Sequence, residues 1–361
     1  MVVNEGIVKI KVIGAGGAGG NAINDMIESG VSGVEFIAAN TDAQDLNRSL
    51  ADVRVQLGEK LTRGLGAGAD PEIGKAAAQE DEEKLRVLLE DTDMLFITSG
   101  MGGGTGTGSS PVIAKIAKDM GILTVAVVTR PFGFEGKKRK NNSDDGIRKL
   151  KECVDSLVII PNDKLFELPD KTITIQNAFK EANNILKIGI KGVADLMIGN
   201  GLINLDFADI KTTMQNSGIA VLGFGEGEGE NRAIKATEKA LQSPLLEKSI
   251  NGASKILINI TGSSSVTLQE ASTISEMVRD AAGKTTEDVM FGLAIDEELG
   301  QKIQVTVIAN NFVDENEKAE PFISVAAKVE EKKPETLEHT AEKIDLDLPP
   351  WMRNNGEVEK K

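Results

Sequence analysis

Apolar residues along this chain come in two alternating textures. Short, nearly unbroken runs at Ile7–Ile13, Val34–Ala39, Met94–Thr98, Ile122–Val128 and Leu157–Ile160 read as strands, and those at 94–98 and 122–128 as buried ones. Between them, apolar residues recur at helical spacing: Ile23, Met26 and Ile27, then an Ala-, Glu- and Lys-rich stretch reaching about Glu90. Pro111 opens a further helical pattern as a first-turn residue, followed by Val112, Ile113, Ile116, Ala117 and Met120. Strands alternating with helices predict an α/β fold on a doubly wound parallel sheet. Gln176–Met197 reads as one long helix, with Ala178, Phe179, Ala182, Ile185, Leu186 and Ile190 on a stripe that fits plain core. Strands at Ile219–Phe224, Lys255–Ile260, Met290–Ala294 and Ile303–Ala309, with helices near 231–242 and 267–282, predict a smaller mixed α/β domain. From about Asp314 the chain turns polar and Glu- and Lys-rich, which predicts a disordered acidic tail. The divisions are 1–175, a central core helix at 176–200, 201–314, a linker at 315–343 and a terminal peptide at 344–361.

Doubly wound sheets bind ligands beyond the carboxyl ends of their strands. There the loops are glycine-rich or polar. Gly100–Pro111 holds six glycines in twelve residues, between a buried strand and a helix start. Backbone N–H groups in such a loop approach an anion without Cβ interference, and the helix dipole favours negative charge. Thr105, Thr107, Ser109 and Ser110 add hydroxyl donors. The plainer alternative, a flexible linker, fits poorly with the clamp on both sides. Gly14, Gly16 and Gly19 satisfy a G-x-G-x-x-G pattern in a strand–loop–helix context, which is weak taken alone. A dehydrogenase would want an acid at the end of the next strand; Asp42 of Asn40-Thr41-Asp42 comes slightly late. Leu61–Pro71 is another glycine-rich loop. Thr129–Gly136 leads into Lys137-Lys138-Arg139-Lys140, and Pro161-Asn162-Asp163 ends the last of these strands. Such loops can converge on one large phosphorylated ligand. No Walker A motif occurs; Gly283-Lys284-Thr285 copies the end of one, but Val278 stands where its first glycine belongs.

Composition narrows the chemistry. The 361 residues carry a net charge of −15, which makes general nucleic-acid binding a poor fit. One cysteine, Cys153, permits no internal disulfide and suits a reducing compartment. The one histidine, His339, sits in the polar tail, which argues against His-based catalysis and against His- or Cys-rich metal sites. No side-chain metal ligands are assigned. The N-terminus lacks a signal-peptide pattern and no apolar run reaches membrane-spanning length, so neither export nor direct membrane insertion is expected.

Two acids stand apart. Asp206 and Asp209 lie in the stretch Gly199–Lys211 that breaks the long helix, three apart, so that on a helix start they share a face. Spacing alone favours helix capping, since acids belong in a first turn.

Gly102-Gly103-Gly104-Thr105-Gly106-Thr107-Gly108 resembles the signature of the tubulin/FtsZ family and, within it, the bacterial cell-division GTPases. Asn40–Gln44, Leu61–Gly68 and Asn204–Asp209 resemble further family loops in the family's order, and the likeness covers roughly 7–312 plus the terminal peptide. The resemblance implies that Gly17, Ala18, Gly19, Gly20 and Asn21 hold the α- and β-phosphates of GTP or GDP. It places Gly103, Gly104, Thr105, Gly106, Thr107 and Gly108 at the β- and γ-phosphates, and Glu135 and Arg139 at the ribose end. Asn162 joins the nucleotide-binding set, Phe179 stacks on the base and Asn183 reads guanine, where most relatives carry Asp. Asn204 supports a loop whose Asp206 and Asp209 act on the attacking water in the next subunit's site, with Mg²⁺ on the phosphates. The implied protein is cytoplasmic. It polymerises head to tail into the ring at the mid-cell division site beneath the inner membrane. Leu346, Leu348, Pro349, Trp351 and Met352 would dock into membrane-anchor and regulatory division proteins. Two other classes stay open from the residues: an NAD-dependent dehydrogenase, and a nucleotide-binding filament without hydrolysis.

Overall fold

A computed structural model of the chain describes residues 8–167, 174–198, 202–243, 246, 248–283, 286 and 288–312. All lie within one compact unit, Met1–Asn316; a second unit, Glu317–Lys361, lies outside the described residues and with it every expectation about the tail. The same holds for Ile7 and for the Lys284-Thr285 pair.

The elements run β1 (Ile10–Ala15), α1 (Gly16–Glu28), β2 (Glu35–Asn40), α2 (Ala43–Asn47), β3 (Val53–Gln56), α3 (Glu59–Thr62), α4 (Pro71–Glu80), α5 (Glu82–Leu88), β4 (Met94–Gly100) and α6 (Thr105–Asp119). There follow β5 (Leu123–Arg130), α7 (Lys137–Lys151), β6 (Ser156–Pro161), α8 (Ile175–Ile198), α9 (Phe207–Met214), β7 (Gly218–Glu228), α10 (Arg232–Leu241), β8 (Ala253–Gly262), α11 (Leu268–Ala282), β9 (Asp288–Ile295) and β10 (Lys302–Phe312). Among the described residues the strands form one ten-stranded sheet in the order 3-2-1-4-5-6-7-10-8-9. Strands β1 to β7 are mutually parallel where they pair. Strand β10 runs antiparallel to both β7 and β8, and β8 lies parallel to β9. The order reverses between β1 and β4, which opens the crevice where doubly wound sheets hold ligands.

Strand periodicity explains why this sheet is covered on both faces. In β4, Met94 and Phe96 enter one core while Leu95 and Ile97 enter another. In β5, Val125 and Val127 part from Ala126 and Val128 in the same way. The first core is closed by Ile23 and Met26 of α1 and Ile185, Leu186 and Ile190 of α8. The second is closed by Ala77, Leu85, Ile113 and Leu150 from α4 to α7. Ile256, Ile258, Ile274 and Val278 belong to a third core between β8 and α11. Each such side chain contributes about 1.5–3 kcal/mol on burial.

Four local expectations change. Helix α6 starts at Thr105, so Pro111 lies inside it rather than at its first turn. Glycine propensity argued for a loop there, but a tertiary contact overrides it. A Cβ on Gly108 would overlap the Pro71 carbonyl oxygen and stand 2.5 Å from the Lys75 nitrogen, so α4 and α6 cross with their backbones in touch. Helix α1 likewise starts at Gly16, ahead of the apolar stripe that marked it. The Ala-rich helix is two helices, because Asp81 turns inward to accept from Gly58 N at 2.7 Å and pair with Lys84 at 2.6 Å. Strand β3 went unread: four residues at a sheet edge give too short an alternation.

Candidate functional site

Two strand-to-helix junctions meet in the crevice. Gly16 turns the chain from β1 into α1 at φ +72°, and a Cβ there would stand 2.8 Å from Gly106 N at the start of α6. A Cβ on Gly100 would in turn stand 2.7 Å from the Ala18 Cβ, so the two junctions are in contact. Across the end of β2, Thr41 Oγ1 lies 2.6 Å from Thr105 Oγ1. Neither α1 nor α6 has a capping side chain or an acid in its first turn among the described residues. Their first N–H groups therefore remain available, with the positive ends of both dipoles beside them. Most of the expected hydroxyl donors are not available. Thr107 Oγ1 accepts from Gly102 N at 2.8 Å, while Ser109 and Ser110 donate to the Thr105 and Gly106 carbonyls at 2.7 and 2.6 Å. All three are buried, which leaves Thr105, itself hydrogen-bonded to the Thr41 hydroxyl. Backbone donors, not side chains, dominate this wall.

Gly17, Gly20 and Asn21 line a cavity of 360 Å³ with Asn40, Asp45 and Arg48. A Cβ on Gly20 or on Gly103 would meet nothing within 4 Å. A larger cavity of 640 Å³, among α4, α6 and α7, shares only Thr107 and Gly108 with the expected site. Its remaining walls include Glu72, Glu82, Lys75 and Lys115 and none of the β1–α1 junction residues, whereas Gly16, Gly17, Gly20 and Asn21 line the smaller one.

At the ends of β5 and β6 the site becomes aromatic. Phe132 is buried at 1% exposure and contacts the rings of Phe134, Phe166 and Phe179 at centroid distances of 5.0, 5.6 and 5.3 Å. Each aromatic pair adds about 0.5–1.5 kcal/mol beyond its buried area. Phe179, edge-on to Phe132, keeps 42% of its surface exposed and can offer a face to a flat ligand. Sequence reasoning missed Phe132, Phe134 and Phe166. Three of eleven phenylalanines within 35 residues were the available signal. Glu135 Oε1 accepts from Phe132 N at 2.9 Å and its Oε2 holds Arg139 Nη1 at 2.7 Å. Lys137, Lys138, Arg139 and Lys140 open α7 with no acid in the first turn. Cations at a helix N-terminus oppose its dipole by roughly 0.3–1 kcal/mol each. They suit a site that receives an anion. Asn162 is buried and its Oδ1 has no hydrogen-bond partner among the described residues. Asn183 Nδ2 donates to Asp25 Oδ2 on α1 at 2.8 Å, a contact that nothing in the local sequence announces.

The acids lie elsewhere. Helix α8 carries the chain away from Phe179, about 25 Å along its axis at 1.5 Å per residue, to Leu196. There Leu205 N donates to Leu196 O at 3.1 Å. Asn204, Asp206 and Asp209 follow, all exposed. Asp206 does occupy the N-cap position of α9, as spacing suggested, yet its carboxylate caps nothing. Within one chain the structure does not bring these residues to the glycine junctions. Asp42, the acid a dehydrogenase would need, is occupied as the cap of α2, accepting from Gln44 N at 2.8 Å.

Comparison with known proteins places the fold in a family. The GTPase domain of the Tubulin/FtsZ family matches residues 9–170, and the C-terminal domain of the FtsZ family matches 218–313. A solved structure of an empty FtsZ dimer from M. jannaschii is 45% identical, with a TM-score of 0.81 over 85% of this chain and 89% of that one. CetZ2 from Haloferax volcanii, a GTPγS-bound protofilament, shares the fold at 20% identity, with a TM-score of 0.72 over 84% of this chain and 92% of that one. Two touching glycine junctions at the switch point, the two domain matches and the 45% identity together make this chain a GTPase belonging to the FtsZ branch of the tubulin/FtsZ family.

Proposed function

We propose that the chain polymerises head to tail and hydrolyses GTP at each junction between subunits. The observation that carries this is the placement of Asp206 and Asp209 at the far end of α8 from the glycine junctions, both exposed and Asp206 capping nothing. Acids so placed cannot serve their own chain's nucleotide; they are presented for a neighbour's. A head-to-tail contact that does not close on itself yields a filament, and the similar CetZ2 was solved as a protofilament. In this reading the α1 start, with Gly17, Ala18, Gly19, Gly20 and Asn21, holds the α- and β-phosphates. The α6 start, Gly103 to Gly108, holds the β- and γ-phosphates. Arg139, positioned by Glu135, and Asn162 take the ribose end, Phe179 stacks on the base and Asn183 reads it. The neighbour's Asp206 and Asp209, steadied by Asn204, then orient a water in line with the γ-phosphate.

Among the described residues no group of three or more acidic, His or Cys side chains could cage a metal ion. Mg²⁺ commonly binds through substrate phosphates and keeps several waters, so the nucleotide rather than the protein would carry it. No step here depends on it. The filament would build the division ring at mid-cell. The tail segment Leu346, Leu348, Pro349, Trp351 and Met352 would tie it to membrane-anchor and regulatory proteins; no helix among the described residues is long and apolar enough to cross a membrane itself.

Phosphate release measured against protein concentration tests the proposal. It should rise more steeply than linearly above a threshold, with filaments visible by electron microscopy in the same sample. Asp209→Ala should lower release by about 100-fold or more and leave GTP binding and filament formation near normal. Release strictly proportional to concentration, or a filament of Asp209→Ala that hydrolyses normally, would remove the neighbour's acids from the mechanism.

A further inference from the structure

Helices α1 and α8 are joined side by side by two polar contacts one helical turn apart. Asn183 Nδ2 donates to Asp25 Oδ2 at 2.8 Å, and Lys187 Nζ donates to Ser29 Oγ at 3.2 Å. Asn183 also lies four residues beyond Phe179, on the same face of α8. A base stacked on the exposed face of Phe179 therefore has the Asn183 amide at its edge.

The orientation of that amide is fixed by chemistry. A carboxylate only accepts, so the side of Asn183 that faces Asp25 must be its NH₂. Its Oδ1 then points away from Asp25, and it accepts no hydrogen bond among the described residues. Guanine offers N1–H and N2–H₂ along one edge, two donors that need acceptors. An amide turned the other way would offer a donor to these donors. The pairing also bears on why an amide and not a carboxylate stands at 183: a second carboxylate would meet Asp25 at hydrogen-bonding distance and raise the pKa of one of the pair.

We infer that Asp25 is a positioning residue for guanine recognition: it holds the Asn183 carbonyl toward the base and polarises the amide so that this carbonyl accepts more strongly. This rests on the reading in which Asn183 lies at the base.

The test uses the full chain, stripped of nucleotide, and equilibrium binding of fluorescent GDP and of xanthosine diphosphate, whose C2 carbonyl replaces the guanine amino group. Asp25→Ala frees the amide to turn over. GDP affinity should fall by about tenfold, and the GDP-to-xanthosine preference should shrink with it. Asn183→Asp alone should also weaken GDP, because its carboxylate stands against Asp25. The double variant Asp25→Ala with Asn183→Asp has acceptor oxygens in every orientation and should return GDP affinity to within about threefold of the parent. Two harmful changes that cancel are not expected from a packing role. If Asp25→Ala keeps the parent preference while Asn183→Ala loses it, Asp25 has no such role and the base-site reading stands. If Asn183→Ala also keeps it, the base is not read at 183 and both fall. Should Asp25→Ala misfold, a double variant that binds GDP no better than Asn183→Asp would overturn the inference by itself.

Discussion

The helix starts at the crevice, α1 and α6, and the start of α11 in the antiparallel half of the sheet are built on opposite plans. In the antiparallel half, α11 opens with a closed cap. Glu270 N donates to Thr267 Oγ1 at 3.2 Å, Thr267 N donates back to Glu270 Oε2 at 2.8 Å, and Arg232 Nε holds Glu270 Oε1 at 2.7 Å. In the parallel half, α1 and α6 open behind Ala15 and Gly104 with no such bonds. A side-chain cap contributes about 0.5–2 kcal/mol, so two open starts are a stability forgone. The same donors that α11 satisfies internally are left to be satisfied by a ligand at α1 and α6. What holds the open starts in place instead is close backbone packing, through residues that carry no Cβ.

The sharpest way to break this contrast is at that packing. Gly108→Ala adds a methyl group where α4 and α6 cross, 2.5 Å from the Lys75 nitrogen and against the Pro71 carbonyl. Backbone cannot yield as a flexible side chain does, so a loss of about 3 kcal/mol or more is expected. Urea denaturation of the nucleotide-stripped chain measures it. A variant within about 0.5 kcal/mol of the parent would mean that the helices are not held by this crossing.

The closed cap should respond differently. Glu270→Ala removes the capping bond from Thr267 N, keeps the one from its own backbone N–H, and leaves Arg232 without its partner carboxylate, for a loss of about 1–2 kcal/mol near neutral pH. This loss should depend on pH. The hydrogen bonds from Arg232 hold the Glu270 carboxyl below its ordinary value of 4.5 in the folded protein. A depressed pKa means that the stabilisation is full above the unfolded-state value and is lost as pH falls through the folded one. The gap between parent and Glu270→Gln should therefore be widest above pH 5 and narrow steadily below about 4.5. A gap that stays constant into acid would assign the cap's contribution to packing rather than charge.

Much of the parallel half was legible because its signals are local. Met94–Thr98 is apolar on both faces, and only a strand covered on both sides is written that way. Helix α8 announced itself by an apolar stripe from Ala178 to Ile190, nearly four turns long. The start of α6 did not. Glycine read in isolation means a loop, and the contact that makes Gly108 helical comes from Pro71 and Lys75 on another helix. The Asp25–Asn183 bond spans 158 residues, so neither side chain carries a local trace of it. Asp206 shows the converse limit. Its position as an N-cap was readable from spacing, but that its carboxylate caps nothing follows only from three-dimensional placement.

The smallest effect separates the two plans most cleanly, because it should change sign with the ligand. Gly20 lies inside α1, lines the 360 Å³ cavity, and a Cβ there would meet no atom within 4 Å. In the nucleotide-free protein Gly20→Ala should therefore stabilise α1 by about 0.5–1 kcal/mol, since alanine loses less backbone freedom than glycine in a helix. With GTP added the order should reverse. The new methyl group would occupy space that the phosphates need, and the ligand-induced rise in Tm should be smaller than in the parent. Thermal melts with and without GTP decide it. A variant more stable than the parent in both conditions would place the phosphates elsewhere. Instability in both would mean that Gly20 belongs, like Gly108, to the packing that holds the helix and not to the surface it leaves open.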